Sequence, residues 1–104
     1  MNAPMKLLLI FLDENDVWGQ TPLYEAIVRR LRRLDVAGAT VQVGIMGFGQ
    51  HSRLHRPGLF GIPDDRPVTI SVVESEEKLR QVLPEIRGMV EEGLFILVDA
   101  EVIP

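Results

Sequence analysis

From Met5 to Leu12 every position except Lys6 is apolar, so a pleated strand here carries hydrophobic side chains on both faces: Leu8, Ile10 and Leu12 on one, Leu7, Leu9 and Phe11 on the other. The acidic stretch Asp13-Glu14-Asn15-Asp16 ends it. Next, Leu23, Ile27, Leu31 and Leu34, with Tyr24 and Val28 beside them, recur at helical spacing. Thr21 as N-cap and Pro22 as first helical residue predict where that helix begins, and it runs to about Leu34. Arg29, Arg30, Arg32 and Arg33 lie opposite the apolar stripe and near the helix end, where cations meet exposed carbonyls; a solvated helix end explains them.

Gly38 breaks the helical pattern, and Ala39 to Met46 alternates with Val41, Val43 and Ile45 on one face, predicting a second strand. Val68 to Val73 alternates again behind Pro67, which is tolerated at a strand start. Ser75-Glu76-Glu77 caps a second helix whose stripe is Leu79, Val82, Leu83, Ile86 and Val90, with a kink expected at Pro84 and a C-terminus at Gly93. Leu94 to Ile103 is a last strand. The order strand, helix, strand, strand, helix, strand predicts a ferredoxin-like βαββαβ fold of the α+β class, a four-stranded antiparallel sheet with two helices on one face. Because the first strand is apolar on both sides, the face without helices is expected to be covered by other subunits.

At 104 residues the chain fits a single domain, 1–104. A net charge of −4 argues against nucleic acid as a partner. The absence of cysteine removes thiol chemistry and disulfides and suits a reducing compartment. Met5 to Leu12 is too short to span a bilayer and Met1-Asn2-Ala3-Pro4 has no basic n-region, so the chain is expected to be cytoplasmic and not membrane-embedded.

The segment Gly47 to Arg66 has a composition of its own: four glycines, two prolines, both histidines of the chain and three arginines. So long a connection is a binding loop or a disordered one. Glycines let successive N–H groups approach a phosphate, and Arg53, His55 and Arg56 add positive charge to an acidic chain. On spacing alone a Gly-x-Gly is better read as a plain turn. His51 and His55 are four apart, but no further histidine or cysteine completes a zinc site. Asp13, Asn15 and Asp16 begin like a calcium loop, yet Val17 and Trp18 stand where the next ligand and the glycine should follow, so they are read as turn formers. Trp18 is expected to pack on the core edge, with a subunit or ligand contact as the alternative. Ser52 has no nucleophile elbow or paired base, and no catalysis is expected.

Gly19-x-x-Pro22-Leu23-Tyr24-Glu25-Ala26-Ile27, Ala37-Gly38-Ala39-Thr40-Val41, Gly44-Ile45-x-Gly47-Phe48-Gly49 and Ser52-Arg53-Leu54-His55, with Asp65-x-Pro67-Val68, Val72-Val73-x-Ser75-Glu76-Glu77-Lys78 and Glu92-Gly93-Leu94, resemble the family catalogued as domain of unknown function 190. That family is similar in architecture to the PII signal-transduction proteins. The resemblance implies a trimer binding an adenine nucleotide at inter-subunit clefts, with Gly47, Phe48, Gly49, Gln50, Ser52, Arg53, His55 and Gly93 as candidate ligand-binding residues and 47–66 as a T-loop-like segment. Gly47-Phe48-Gly49 matches the opening of the PII loop, whereas Gln50 comes one position early and His51 stands where the glutamine would be. Only Glu91-Glu92-Gly93-Leu94 precedes the last strand in place of a glycine-rich, lysine-containing loop, which favours an AMP-like monophosphate or a dinucleotide over a triphosphate. The alternatives are an adaptor for a protein partner such as a transporter and a metal-binding protein resembling the CutA family.

Overall fold

The computed structural model of the chain describes residues 4–47 and 66–104. Four strands form one antiparallel sheet: β1 Met5–Asp13, β4 Thr40–Val43, β5 Pro67–Ser75 and β6 Leu94–Ala100, in the order β4-β5-β1-β6. With the helices α1 Leu23–Arg33 and α2 Glu76–Arg87 this is an α+β arrangement compatible with the ferredoxin-like one. The doubly apolar β1 is central, paired with β5 on one side and β6 on the other.

One sheet face makes the core. Leu8, Ile10 and Leu12 of β1 and Val68, Ile70 and Val72 of β5 are buried, and Leu23, Ile27, Leu31, Leu79, Val82 and Ile86 from the two helices close over that face. Burial of this kind, worth roughly 25 cal/mol per Å² of apolar surface, drives the fold. On the opposite face the pairing aligns three rows across three strands, apolar except at Ser71 and Thr69: Val73–Leu7–Val98, Ser71–Leu9–Ile96 and Thr69–Phe11–Leu94. Val73, Leu94 and Val98 are 42%, 49% and 42% exposed there.

The helix ends differ from the sequence expectation. Pro22, not Thr21, is the N-cap of α1: its ψ of 135° is extended, no side chain caps the helix, and the Leu23 N–H donates instead to the Asp16 carbonyl at 2.8 Å. Thr21 and Pro22 form the short strand β3, paired with β2 Val17–Trp18 around Gly19, whose φ of 65° closes the turn. At the other end Asp35 adopts φ 62° while the Asp35 and Val36 N–H groups donate to the carbonyls of Arg32 and Leu31, both at 3.1 Å. That is a Schellman closure with aspartate where glycine is usual. Arg29 pairs with Glu25 and Arg30 reaches Glu85 of α2 at 2.8 Å, so part of the arginine cluster stitches one helix surface to the other.

Ser75 caps α2 as expected, its hydroxyl accepting from the Lys78 N–H at 3.2 Å. The helix runs unbroken through Pro84 but stops at Arg87, six residues short of Gly93, with Gly88 as C-cap. Pro84 has no N–H to donate to the preceding turn, so one bond of the ladder is missing there, while the Gly88 N–H closes the last turn on the Pro84 carbonyl at 3.1 Å. Met89 and Val90 still reach the core, through turns in which their N–H groups bond to Ile86 and Arg87 carbonyls. β4 stops at Val43 and β6 at Ala100, both short of their predicted ends.

Candidate functional site

Two of the eight candidate ligand-binding residues, Gly47 and Gly93, fall among the described residues. Phe48, Gly49, Gln50, Ser52, Arg53 and His55 lie outside them, as do His51 and Arg56. Gly47 follows β4, and a Cβ placed on it would sit 3.4 Å from Pro67 Cγ. Gly93 immediately precedes β6, and a Cβ there would meet Val90 Cγ1 at 2.8 Å and Leu12 Cδ2 and the Phe11 carbonyl at 3.1 Å. Pro67 is the partner of Asp13 and Phe11 the partner of Leu94, so both glycines stand at the end of the sheet where β1 finishes.

They are nevertheless on opposite edges. β4 and β6 are the outer strands, separated by three inter-strand spacings, about 14 Å. Neither glycine has a left-handed φ; Gly19 is the one described glycine that does. What the lack of a side chain permits at 47 and 93 is therefore close approach, by a ligand or by the protein itself.

The end of the sheet is tied to the candidate loop by a pair that sequence reasoning missed. The Arg66 guanidinium grips the Glu14 carboxylate with Nε at 2.8 Å and Nη2 at 2.6 Å, and the Glu14 N–H donates to the Arg66 carbonyl at 2.8 Å. The fork geometry of arginine suits this two-point contact. The hydrogen bonds from Arg66, aided by its charge, hold the Glu14 carboxyl below its ordinary value of 4.5. On the same strand ends, the Gly44 N–H donates to the Pro67 carbonyl at 2.7 Å, and a Cβ at Gly44 would come within 2.8 Å of the Pro67 ring. Residues 44–47 and 66–67 thus hold the two roots of the candidate segment side by side. A depressed carboxylate pKa contributes stability that is complete above the ordinary value and is lost as pH falls through the folded-state value. Glu14→Gln should lower the melting temperature at neutral pH by on the order of a few degrees, since the pair is partly exposed. The gap between variant and wild type should close as the pH drops below 4.5; a gap that persists unchanged into acid would show that the ion pair is not its cause.

Asp13 to Asp16 form a turn, as read from the sequence: the Asp16 N–H donates to the Asp13 carbonyl at 3.1 Å, and the Asp16 carboxylate accepts from the Asp13 N–H at 3.0 Å. Among the described residues no group of three or more His, Cys, Asp or Glu is placed to hold a metal ion. Trp18 departs from its expected place on the core edge: it is 44% exposed, held outward by the β2–β3 turn.

Compared with known proteins, residues 5–102 match the model of the DUF190 family, described as Uncharacterized ACR. The chain belongs to the DUF190 family. It is 35% identical to a UPF0166 protein of Aquifex aeolicus (strain VF5) over 98 residues, covering 94% of this chain and 92% of that one. A UPF0166 protein of Methanocaldococcus jannaschii is 34% identical over 98 residues, 93% of this chain and 90% of the relative. Both alignments extend over nearly the whole DUF190 chain, candidate segment included. Those names state no activity. No helix among the described residues is long and apolar enough to cross a membrane.

Proposed function

We propose that this DUF190 protein is a PII-like regulatory subunit without catalytic activity of its own. Copies assemble as a trimer with their open sheet faces inward, and an adenine nucleotide or a similar anion binds in the seam between neighbours. The observation that supports this reading most directly is the separation of Gly47 from Gly93 across the full width of the sheet. One small ligand cannot be gripped by both edges of one subunit.

Between subunits the geometry changes. β4 and β6 run in opposite directions, so a second copy set alongside in the same orientation brings its β4 antiparallel to this β6. That contact places Gly47 of one subunit near Gly93 of the next. Being heterologous, it closes only as a ring, and three copies close one around the apolar rows of the open face. The basic candidates Arg53 and His55 then supply charge from the segment that begins at Gly47.

Ligand charge is bounded by what flanks Gly93. Glu91 and Glu92 are exposed carboxylates, and two negative charges beside the seam disfavour a triphosphate. An AMP-like ligand with one phosphate is the better match. Binding shifts the arrangement of 48–65 and so the surface offered to a protein partner. Calorimetry with AMP, ADP and ATP tests this: AMP should release heat with saturation and bind more tightly than ATP. Absence of binding by all three overturns the nucleotide reading.

A further inference from the structure

The turn that follows β1 and the turn that follows α2 face each other across an open groove of about 490 Å³. Leu23 and Met89 make its floor, 4% and 5% exposed. One wall is the β2–β3 turn with Val17 and Trp18, 65% and 44% exposed. The other is the stretch from Gly88 to Glu92, whose path is fixed by Arg87: its guanidinium donates to the Val90 carbonyl at 2.6 Å and lies 5.5 Å from the centre of the Phe95 ring. Among the described residues, the charged ones lining the groove are all acidic, Asp16, Glu91 and Glu92.

We propose that this groove is a docking site for an arginine side chain carried on a partner polypeptide. Each feature of the groove matches one part of that side chain. A planar guanidinium stacks on the indole of Trp18 and donates in pairs to carboxylates, which a compact ammonium does less well. The aliphatic stem of arginine lies over Leu23 and Met89, where apolar contact is available beneath a charged rim. Val17 decides between a free cation and a peptide. It is 65% exposed in the same wall, and a guanidinium seated on Trp18 and the carboxylates leaves it bare unless the arginine arrives with an apolar neighbour on the same chain. A tryptophan at the wall of a groove, flanked by an apolar rim residue, is also the kind of anchor on which binding energy concentrates.

The proposal does not rest on the nucleotide reading, and Trp18 makes the two separable because it is the chain's single tryptophan. Its fluorescence reports on this groove. The test titrates full-length protein with the peptide acetyl-Leu-Arg-Leu-amide and with the same peptide carrying citrulline, which keeps the shape and removes the charge. The arginine peptide should give a saturable change in emission, and citrulline should weaken it by at least about tenfold, the loss expected for one charge-assisted contact. Glu91→Gln with Glu92→Gln should weaken the arginine peptide by a similar factor, with an unchanged circular dichroism spectrum. Equal responses to the arginine and citrulline peptides, or no saturable change into the millimolar range, overturn the assignment. Arginine amide alone binding as tightly as the peptide overturns the partner polypeptide as its source.

Discussion

Substituting adjacent residues of β1 should produce opposite failures: Leu9→Lys dissolves the proposed trimer and leaves the subunit folded, whereas Ile10→Ala destabilises the subunit itself. Ile10 is completely buried between the sheet and both helices. Truncating such a residue removes its transfer free energy and leaves a cavity, about 2–5 kcal/mol in total. At roughly 4 °C or more per kcal/mol for a domain of this size, the melting temperature should fall by at least about 8 °C. Leu9 lies in the middle row of the other face, between Ser71 and Ile96, where its side chain is only partly covered. A lysine there keeps its ammonium in water while the subunit is alone. Within the proposed trimer that ammonium would be buried without a partner, at a cost of several kcal/mol, so association should weaken by at least about a hundredfold. Sedimentation should show the wild type as three copies and Leu9→Lys as single copies at the same concentration, with a native circular dichroism spectrum. A wild-type chain that itself sediments as one copy would remove the trimer, and the inter-subunit seam with it.

How far the sequence led follows from where its signals are local. β1 could be read because seven of its first eight residues are apolar, and the α2 start because serine followed by two glutamates is chemically sufficient to cap a helix. The α1 start could not, although Thr21-Pro22 carries an equally good local signal. A tertiary bond, Leu23 N–H to the Asp16 carbonyl, satisfies a donor that a threonine cap would otherwise serve, and Pro22 with its extended ψ becomes the boundary. The end of α2 was misplaced for a related reason. Val90 completes the helical stripe in sequence and is buried in space, but it reaches the core from a turn. Periodicity records which residues are buried, not which backbone brings them there.

The candidate site divides in the same way. That Gly47 and Gly93 belong to one end of the sheet follows from the strand order, whereas their placement on opposite edges depends on which strands pair. The Glu14–Arg66 clamp joins residues 52 positions apart, and no pattern in either neighbourhood announces it beyond a lone arginine preceding Pro67. The groove is not legible in the sequence because its acidic residues come from two distant turns and because a lone tryptophan ordinarily packs at a core edge. A tryptophan beside glycine in a turn of only a few residues is the signal that could have suggested otherwise: so short a hairpin has no room to bury an indole.

Gly93→Ala should cost about 1–3 kcal/mol, and the loss should be the same in an assembled and in a dissociated background. The new methyl would lie 2.8 Å from Val90 Cγ1 and 3.1 Å from both Leu12 Cδ2 and the Phe11 carbonyl. Val90 and Leu12 are 4% and 7% exposed, so neither can swing into solvent, and the carbonyl belongs to the backbone of the central strand. All three neighbours are in the same subunit, which is why dissociation cannot relieve the strain. Gly47→Ala provides the contrast: among the described residues its nearest neighbour would be the Pro67 ring at 3.4 Å, and its φ is not left-handed, so stability should change by no more than about 0.5 kcal/mol. Yet if Gly47 backbone is where an anion approaches, the same methyl should weaken AMP by at least about tenfold. Chemical denaturation of both variants, each also carrying Leu9→Lys, measures the first quantity, and calorimetry of the assembled proteins measures the second. A Gly93→Ala chain as stable as its parent would show that this glycine is not held by packing; a Gly47→Ala chain that binds AMP undiminished would show that the ligand does not come near it. The two glycines are thus separable by what fills the missing side chain's space: at 93 it is protein, and at 47 the proposed ligand.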